Sequence, residues 1–140
     1  MGVGRLLPVI LFKWHAALMA SGWVMVAAAV LIAATQRQRR WWLRLHRGAG
    51  LSGAVVILSG AAAAVAAVTI STGVHLRLPH TWLGALTVAA AVATPLLGLL
   101  QFKIRERAGS LRAYHRLGGR ILAGAALITL LLGLRLTGYL

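Results

Sequence analysis

The chain contains no cysteine. Disulfides, thiolate nucleophiles, cysteine-ligated zinc and iron–sulfur clusters are therefore excluded, as is haem attached through thioethers at a C-x-x-C-H motif. Acidic residues are almost as scarce, with Glu106 the only one in 140 residues. Carboxylate-pair hydrolysis, proton relays through buried acids and acidic metal cages need more than this. Charged residues of both signs make up 11% of the chain, against about a quarter in soluble domains.

What is present is apolar. Hydrophobic residues make up 60% of the chain, and they gather in four runs: Leu11 to Ala34, Trp42 to Ile70, Pro79 to Leu100 and His115 to Leu134. Each supplies the roughly 20 residues that a helix rising about 1.5 Å per residue needs to cross the hydrocarbon core. The runs are too long and continuous for barrel strands. The expected fold is all-α: an integral-membrane four-helix bundle over residues 13–140, preceded by an interfacial segment, residues 1–12, bent at Pro8. A secretory signal at residues 5–12 with cleavage near Ala20 is disfavoured, because Lys13, Trp14 and His15 interrupt the apolar stretch.

The formal charge is +14, a value that in a soluble domain points to nucleic acid. Here the basic residues sit in short stretches beside apolar spans, so the expectation is membrane lipid and no nucleic acid. Arg37, Arg39, Arg40, Arg44 and Arg47 follow the first span; Lys103, Arg105, Arg107, Arg112, Arg116 and Arg120 follow the third. The opposite face carries only Arg5, Lys13, Arg77 and Arg135. Lysine and arginine gather in cytoplasmic loops, which puts the arginine-rich face in the cytoplasm and both termini on the other side. Trp14, Trp41, Trp42 and Trp82 fall at span edges as an interfacial belt, while Trp23 lies deeper and is assigned to packing.

Four of the five histidines, His15, His46, His80 and His115, stand near the starts of the spans. Successive starts alternate between membrane faces, so His15 and His80 share the non-cytoplasmic face and His46 and His115 the cytoplasmic one. One membrane histidine can be a core residue bonded to a carbonyl. Four in two same-face pairs form the ligand set for two six-coordinate b haems, since imidazole is the natural neutral ligand to iron. His75 has no counterpart and reads as a loop residue.

One helical turn beyond three of these histidines stand Gly50, Gly84 and Gly119. They have two readings, space for a flat porphyrin or close helix packing; Gly48, Gly53, Gly60, Gly118 and Gly124 fit the second better. The first span carries Met19 at that position, whose flexible thioether can lie against a ring. Haem propionates need cationic partners. Arg44, Arg47, Arg112, Arg116 and Arg120 surround the cytoplasmic pair, and Lys13 and Arg77 flank the outer one; each could instead anchor by snorkelling.

These motifs resemble the eukaryote-type cytochrome b561 family, particularly the form found beside dopamine-β-monooxygenase-like (DOMON) domains. His15-Ala-Ala-Leu-Met19 resembles its H-x-x-L-M element, and Leu45-His46-Arg47 its second-span opening. His80-Thr-Trp-Leu-Gly84 resembles H-x-x-x-G, Gln101 sits where the third span often ends, and Tyr114-His115-Arg116-Leu-Gly-Gly-Arg120 resembles H-x-x-x-G-R. The resemblance covers about residues 13–134 and implies two b haems, ligand pairing of first span with third and second with fourth, and transmembrane electron transfer. Two departures limit it: the outer helix pair of many members is missing, and no ascorbate-binding signature is evident.

The leading expectation is a dihaem membrane cytochrome, acting as a transmembrane oxidoreductase with a quinol or a soluble redox partner, alone, as a homodimer or with partner subunits. The alternatives are a haem-bearing anchor for a quinone-reactive complex and a haem-free structural bundle. A transporter fits poorly, because buried ionisable groups other than the histidines are scarce. The alanine-, leucine-, arginine- and glycine-rich composition points to a bacterial inner membrane.

Overall fold

The structure is a computed structural model that describes residues 3–138, with side chains from Leu6 onward. Four α-helices follow one another: α1 (Val3–Thr35), α2 (Trp42–Ser71), α3 (Pro79–Lys103) and α4 (Ala108–Leu136). All four are long and apolar enough to cross a membrane. At about 1.5 Å per residue the shortest, with 25 residues, extends about 38 Å, beyond the roughly 30 Å of hydrocarbon.

The helix ends differ from the expected spans at two places. α1 begins at Val3, so the described part of the N-terminal segment is helical and continuous with the first span, with Pro8 inside it. Residues 1 and 2 and the Arg5 side chain lie outside the described residues. α4 begins at Ala108, seven residues before His115, because arginine sustains a helix well and the charge that ends an apolar run does not end the hydrogen-bond ladder. A single 3₁₀ turn, Arg105–Arg107, joins α3 to α4.

The turns are written in local chemistry. Between α2 and α3 the chain turns through Gly73 at φ 66° and Leu76 at φ 56°, and Pro79 then opens α3 at the position where a missing N–H costs nothing. The Thr81 hydroxyl receives the Leu78 N–H at 3.2 Å.

The helices pair as two hairpins. α1 packs extensively on α2, and α3 on α4; the hairpins then meet more sparingly through α1–α4 and α2–α3, and the diagonal pairs α1–α3 and α2–α4 make no close backbone approach among the described residues. Glycine permits the close approach of α1 to α2, as small residues do in membrane bundles. A Cβ on Gly22 would stand 2.7 Å from Ile57 Cγ1, and one on Gly53 3.0 Å from Val26 N. Across the hairpins, the indole N–H of the half-buried Trp23 donates to the Ala123 carbonyl at 3.2 Å, which gives this tryptophan its packing role. Large apolar side chains such as Leu31, Val55, Leu86 and Ile128 point outward, as they must where the solvent is lipid.

The core is small and regular. Met19, Val26, Ala54, Ile57, Ala91 and Leu122 form its central cluster. Counting from the histidine of each helix, the residues at +7 (Gly22, Gly53, Thr87, Leu122), at +11 (Val26, Ile57, Ala91, Ala126) and at +14 (Ala29, Gly60, Thr94, Thr129) are all buried. This is the alternating spacing of a 3.5-residue repeat, which keeps one seam of each helix facing the bundle axis. The histidines belong to that seam.

Candidate functional site

Each paired histidine is fixed by the helix beside it. His15 Nδ1 meets the Gly60 carbonyl at 2.9 Å and His46 Nδ1 the Ala29 carbonyl at 2.9 Å. His80 Nδ1 meets the Thr129 carbonyl at 2.9 Å and His115 Nδ1 the Thr94 carbonyl at 2.8 Å. A carbonyl can only accept, so Nδ1 carries the proton in all four rings and the Nε2 lone pair is left free. The pattern is reciprocal within each hairpin, and every acceptor lies 14 residues after the histidine of its own helix.

The rings meet across the diagonals, where the helices themselves do not touch. His15 and His80 have ring centroids 6.1 Å apart with planes at 88°; His46 and His115 are 5.8 Å apart at 87°. Two imidazoles bonded to one metal from opposite sides, with bonds of about 2.0–2.1 Å, have centroids about 6 Å apart. Both pairs therefore have the spacing of two ligands on a shared metal ion. Among the described residues no group of three or more His, Cys, Asp or Glu could hold a metal, so two imidazoles are all that these side-chain types offer an ion at either pair.

At the arginine-rich end the pair opens onto a cavity of about 610 Å³, within the usual range of about 300–1,000 Å³ for ligand sites. His46, His115, Arg47, Gly50, Arg112, Arg116, Gly119 and Arg120 all line it, together with Arg37, Trp42, Gln101 and Phe102. The Trp42 ring lies 6.0 Å from that of His46, and the Arg47 guanidinium stands 5.7 Å over the Phe102 ring, joining α2 to α3. Gln101 donates to the Gly98 carbonyl at 2.9 Å. Arg44 is exposed and does not line this cavity. At the other end Lys13 and Arg77 are exposed, and the Phe12 ring lies 6.1 Å from that of His15. His75 is exposed, 3.3 Å from the Thr69 hydroxyl, and belongs to neither pair.

The glycines divide into two kinds. A Cβ on Gly50, Gly84 or Gly119 would meet one atom each, at 3.6–3.9 Å, so none sits at a tight helix contact, and Gly50 and Gly119 line the cavity beside His46 and His115. Gly53, Gly60 and Gly118 are at tight helix contacts, as their assignment to packing requires; Gly48 and Gly124 have nothing within 4 Å and are not. Two glycines outside both groups matter more. A Cβ on Gly98 would stand 2.9 Å from His115 Cε1, and one on Gly133 3.1 Å from His80 Cε1. Each lies four residues after the carbonyl that holds the ring. A spacing of 18 from the histidine of the same helix is the signal that picks them out, with alanines, Ala33 and Ala64, at the matching positions of α1 and α2. Met19 packs into the core, its sulfur 3.2 Å from where a Gly60 Cβ would be.

A family model described as eukaryotic cytochrome b561 matches residues 14–139. The chain belongs to the cytochrome b561 family. No curated protein and no solved structure gave a match. Membership in the cytochrome b561 family implies haem b and electron transfer across the membrane. The residues present fit that group: two imidazoles without thiolates, a cavity beside one pair, glycines where a flat ring needs room, and guanidinium groups around it.

Proposed function

We propose that the protein is a dihaem b-type cytochrome carrying electrons across the bilayer between two bis-histidine haems, one held by His15 and His80 and the other by His46 and His115. The observation that carries this reading is the geometry of the pairs: rings about 6 Å apart on diagonal helices, each with Nδ1 tied to a carbonyl and Nε2 free. A hydrogen bond at the non-ligating nitrogen is the usual support of a metal-bound imidazole, fixing tautomer and orientation.

Bound haem supplies one-electron exchange at iron; the chain sets ligation, spacing and electrostatics. Fourteen residues separate each histidine from the carbonyl that holds the other pair, so the two levels lie about 21 Å apart along the bundle. Gly50, Gly84 and Gly119 leave the faces clear. Arg47, Arg112, Arg116 and Arg120 offer guanidinium groups to propionates at one end, and Lys13 and Arg77 offer cationic groups at the other; Arg44, outside the cavity, anchors the helix end at the membrane surface. The arginine-rich end faces the cytoplasm of a bacterial cell with both termini outside, and the donor and acceptor are a quinol or soluble redox partners, reached by this chain alone, as a homodimer or with partner subunits.

Purified protein reconstituted with haem should bind two haems per chain and give b-type bands in a reduced-minus-oxidised spectrum. A spectrum without such bands removes the proposal.

A further inference from the structure

At the arginine-rich end a second cavity, of about 460 Å³, opens in the seam between α1 and α4. Its walls are Arg37, just past the end of α1, and Ala113, Arg116, Leu117 and Arg120 of α4. All three arginines are exposed. Arg116 and Arg120 are one turn apart on the same side of α4, where like charges repel. The chain has little to match them: its single acid, Glu106, stands among 15 basic residues, in the 3₁₀ turn before α4. Arg37 Nε donates to the Ala33 carbonyl at 2.6 Å, which commits one of the five donors of that guanidinium.

The depth of Arg120 makes this cluster more than surface charge. The uncharged stretch Ile121–Leu134 separates Arg120 from Arg135 by 14 residues. That is about 21 Å of helix, against roughly 30 Å of hydrocarbon, so the two arginines cannot both start at headgroup level. A helical side chain leans toward the N-terminus of its helix. For Arg120 that direction is toward the arginine-rich surface, whereas for Arg135 it is away from its own. The shortfall therefore falls on Arg120, whose backbone lies below the headgroups and whose side chain leans up toward Arg116. Leu117, in the cavity wall, and Ile121, one turn deeper, are exposed apolar side chains. Guanidinium groups thus stand above an apolar strip on one lipid-facing surface.

We propose that Arg37, Arg116 and Arg120 hold the phosphate of an anionic phospholipid in the seam between α1 and α4, with its acyl chains along Leu117 and Ile121. Arginine forks pair with phosphate in bidentate fashion, and a phosphate among the three relieves their mutual repulsion. A lipid fits this place better than a free anion, because the deepest arginine starts below the headgroups and the strip beneath it is apolar. Arg116 and Arg120 also line the histidine cavity, and five donors on each guanidinium allow one anion on either side. Neither haem nor the histidine pairs enter this assignment.

The test is lipid retention by the full chain, purified in neutral detergent with equal amounts of phosphatidylglycerol and phosphatidylcholine and read by native mass spectrometry. Wild type should hold one phosphatidylglycerol in preference to phosphatidylcholine, with or without haem. Arg37→Gln, Arg116→Gln and Arg120→Gln should each weaken that preference about tenfold, the effect of losing one charge-assisted hydrogen bond. Glutamine sustains a helix about as well as arginine, so these variants keep the fold. Arg39→Gln and Arg40→Gln, which remove the same charge from residues outside the cavity, should leave the preference unchanged. Equal retention of the two lipids, or equal weakening by both sets of variants, overturns the site. Displacement of the lipid by millimolar inorganic phosphate makes it a site for a free anion, and displacement by haem gives the arginines to propionates; either overturns the lipid assignment. Absence of b-type bands would remove the dihaem reading and leave this one standing.

Discussion

The imidazole of His115 rests on Gly98: a methyl group there would stand 2.9 Å from its Cε1 and 3.0 Å from its Nδ1. The ring is tethered to the Thr94 carbonyl at 2.8 Å, and the backbone of α3 is packed, so neither side yields cheaply. Gly98→Ala is expected to displace His115 and reduce haem content at the arginine-rich end several-fold, with the other haem retained. Gly48→Ala and Gly124→Ala, which meet open space, should keep both haems and stabilise the fold by about 0.5–1 kcal/mol, as alanine for glycine does in a helix interior. Haem-to-protein ratios and thermal unfolding in detergent check both halves.

His46→Ala separates the two pairs. Its ring stands 5.8 Å from that of His115, and the His15/His80 level lies about 21 Å away along the helices. The variant is expected to lose one haem of two and leave the spectrum and potential of the other unchanged. Loss of both, or of neither, would show that the ligands are paired otherwise.

Much of this site was legible because histidine is conspicuous in an apolar run and because four spans impose alternation on anything placed at their starts. Which rings meet followed from topology alone. The acceptors did not, since every residue carries the same carbonyl and nothing in the side chains of Ala29 or Gly60 marks it as a partner; only the recurring interval of 14 does. The roles of the glycines were half legible. Gly53, Gly60 and Gly118 are tight contacts as expected, but the cradles at Gly98 and Gly133 depend on which ring crosses the helix opposite, a tertiary fact. The early start of α4 was hidden because hydropathy reports where lipid begins, and a helix can run beyond that point.

Gly84 tests the space for a flat ring. A Cβ there would meet only Thr129 Cγ2, at 3.9 Å, so Gly84→Leu fits the haem-free bundle without a clash at its first carbon. Its longer side chain then occupies the room beside His80. The expected outcome is a protein of near wild-type thermal stability without haem, and a loss of the His15/His80 haem when haem is supplied. Unchanged haem content and potential would assign Gly84 to packing alone.

Trp23→Phe addresses the docking of the two hairpins. The indole N–H of α1 donates to the Ala123 carbonyl of α4, one of the few directed contacts between hairpins that otherwise meet sparingly. Trp23 stands eight residues after His15, and Ala123 eight after His115, so the bond lies near the middle of the bundle, between the two levels. Phenylalanine keeps most of the apolar contact and removes the donor. The Ala123 carbonyl keeps its own helix donor, so the cost should sit near the low end of the usual 0.5–1.5 kcal/mol for a hydrogen bond, a fall of a few degrees in Tm for a chain of this size. Each histidine pair joins one hairpin to the other, so weaker docking should lower haem retention at both ends by similar factors, unlike the one-sided loss expected for His46→Ala. Haem-release rates resolved by the two spectral components provide the measurement. Faster release from one end only would make the indole a local support of that end.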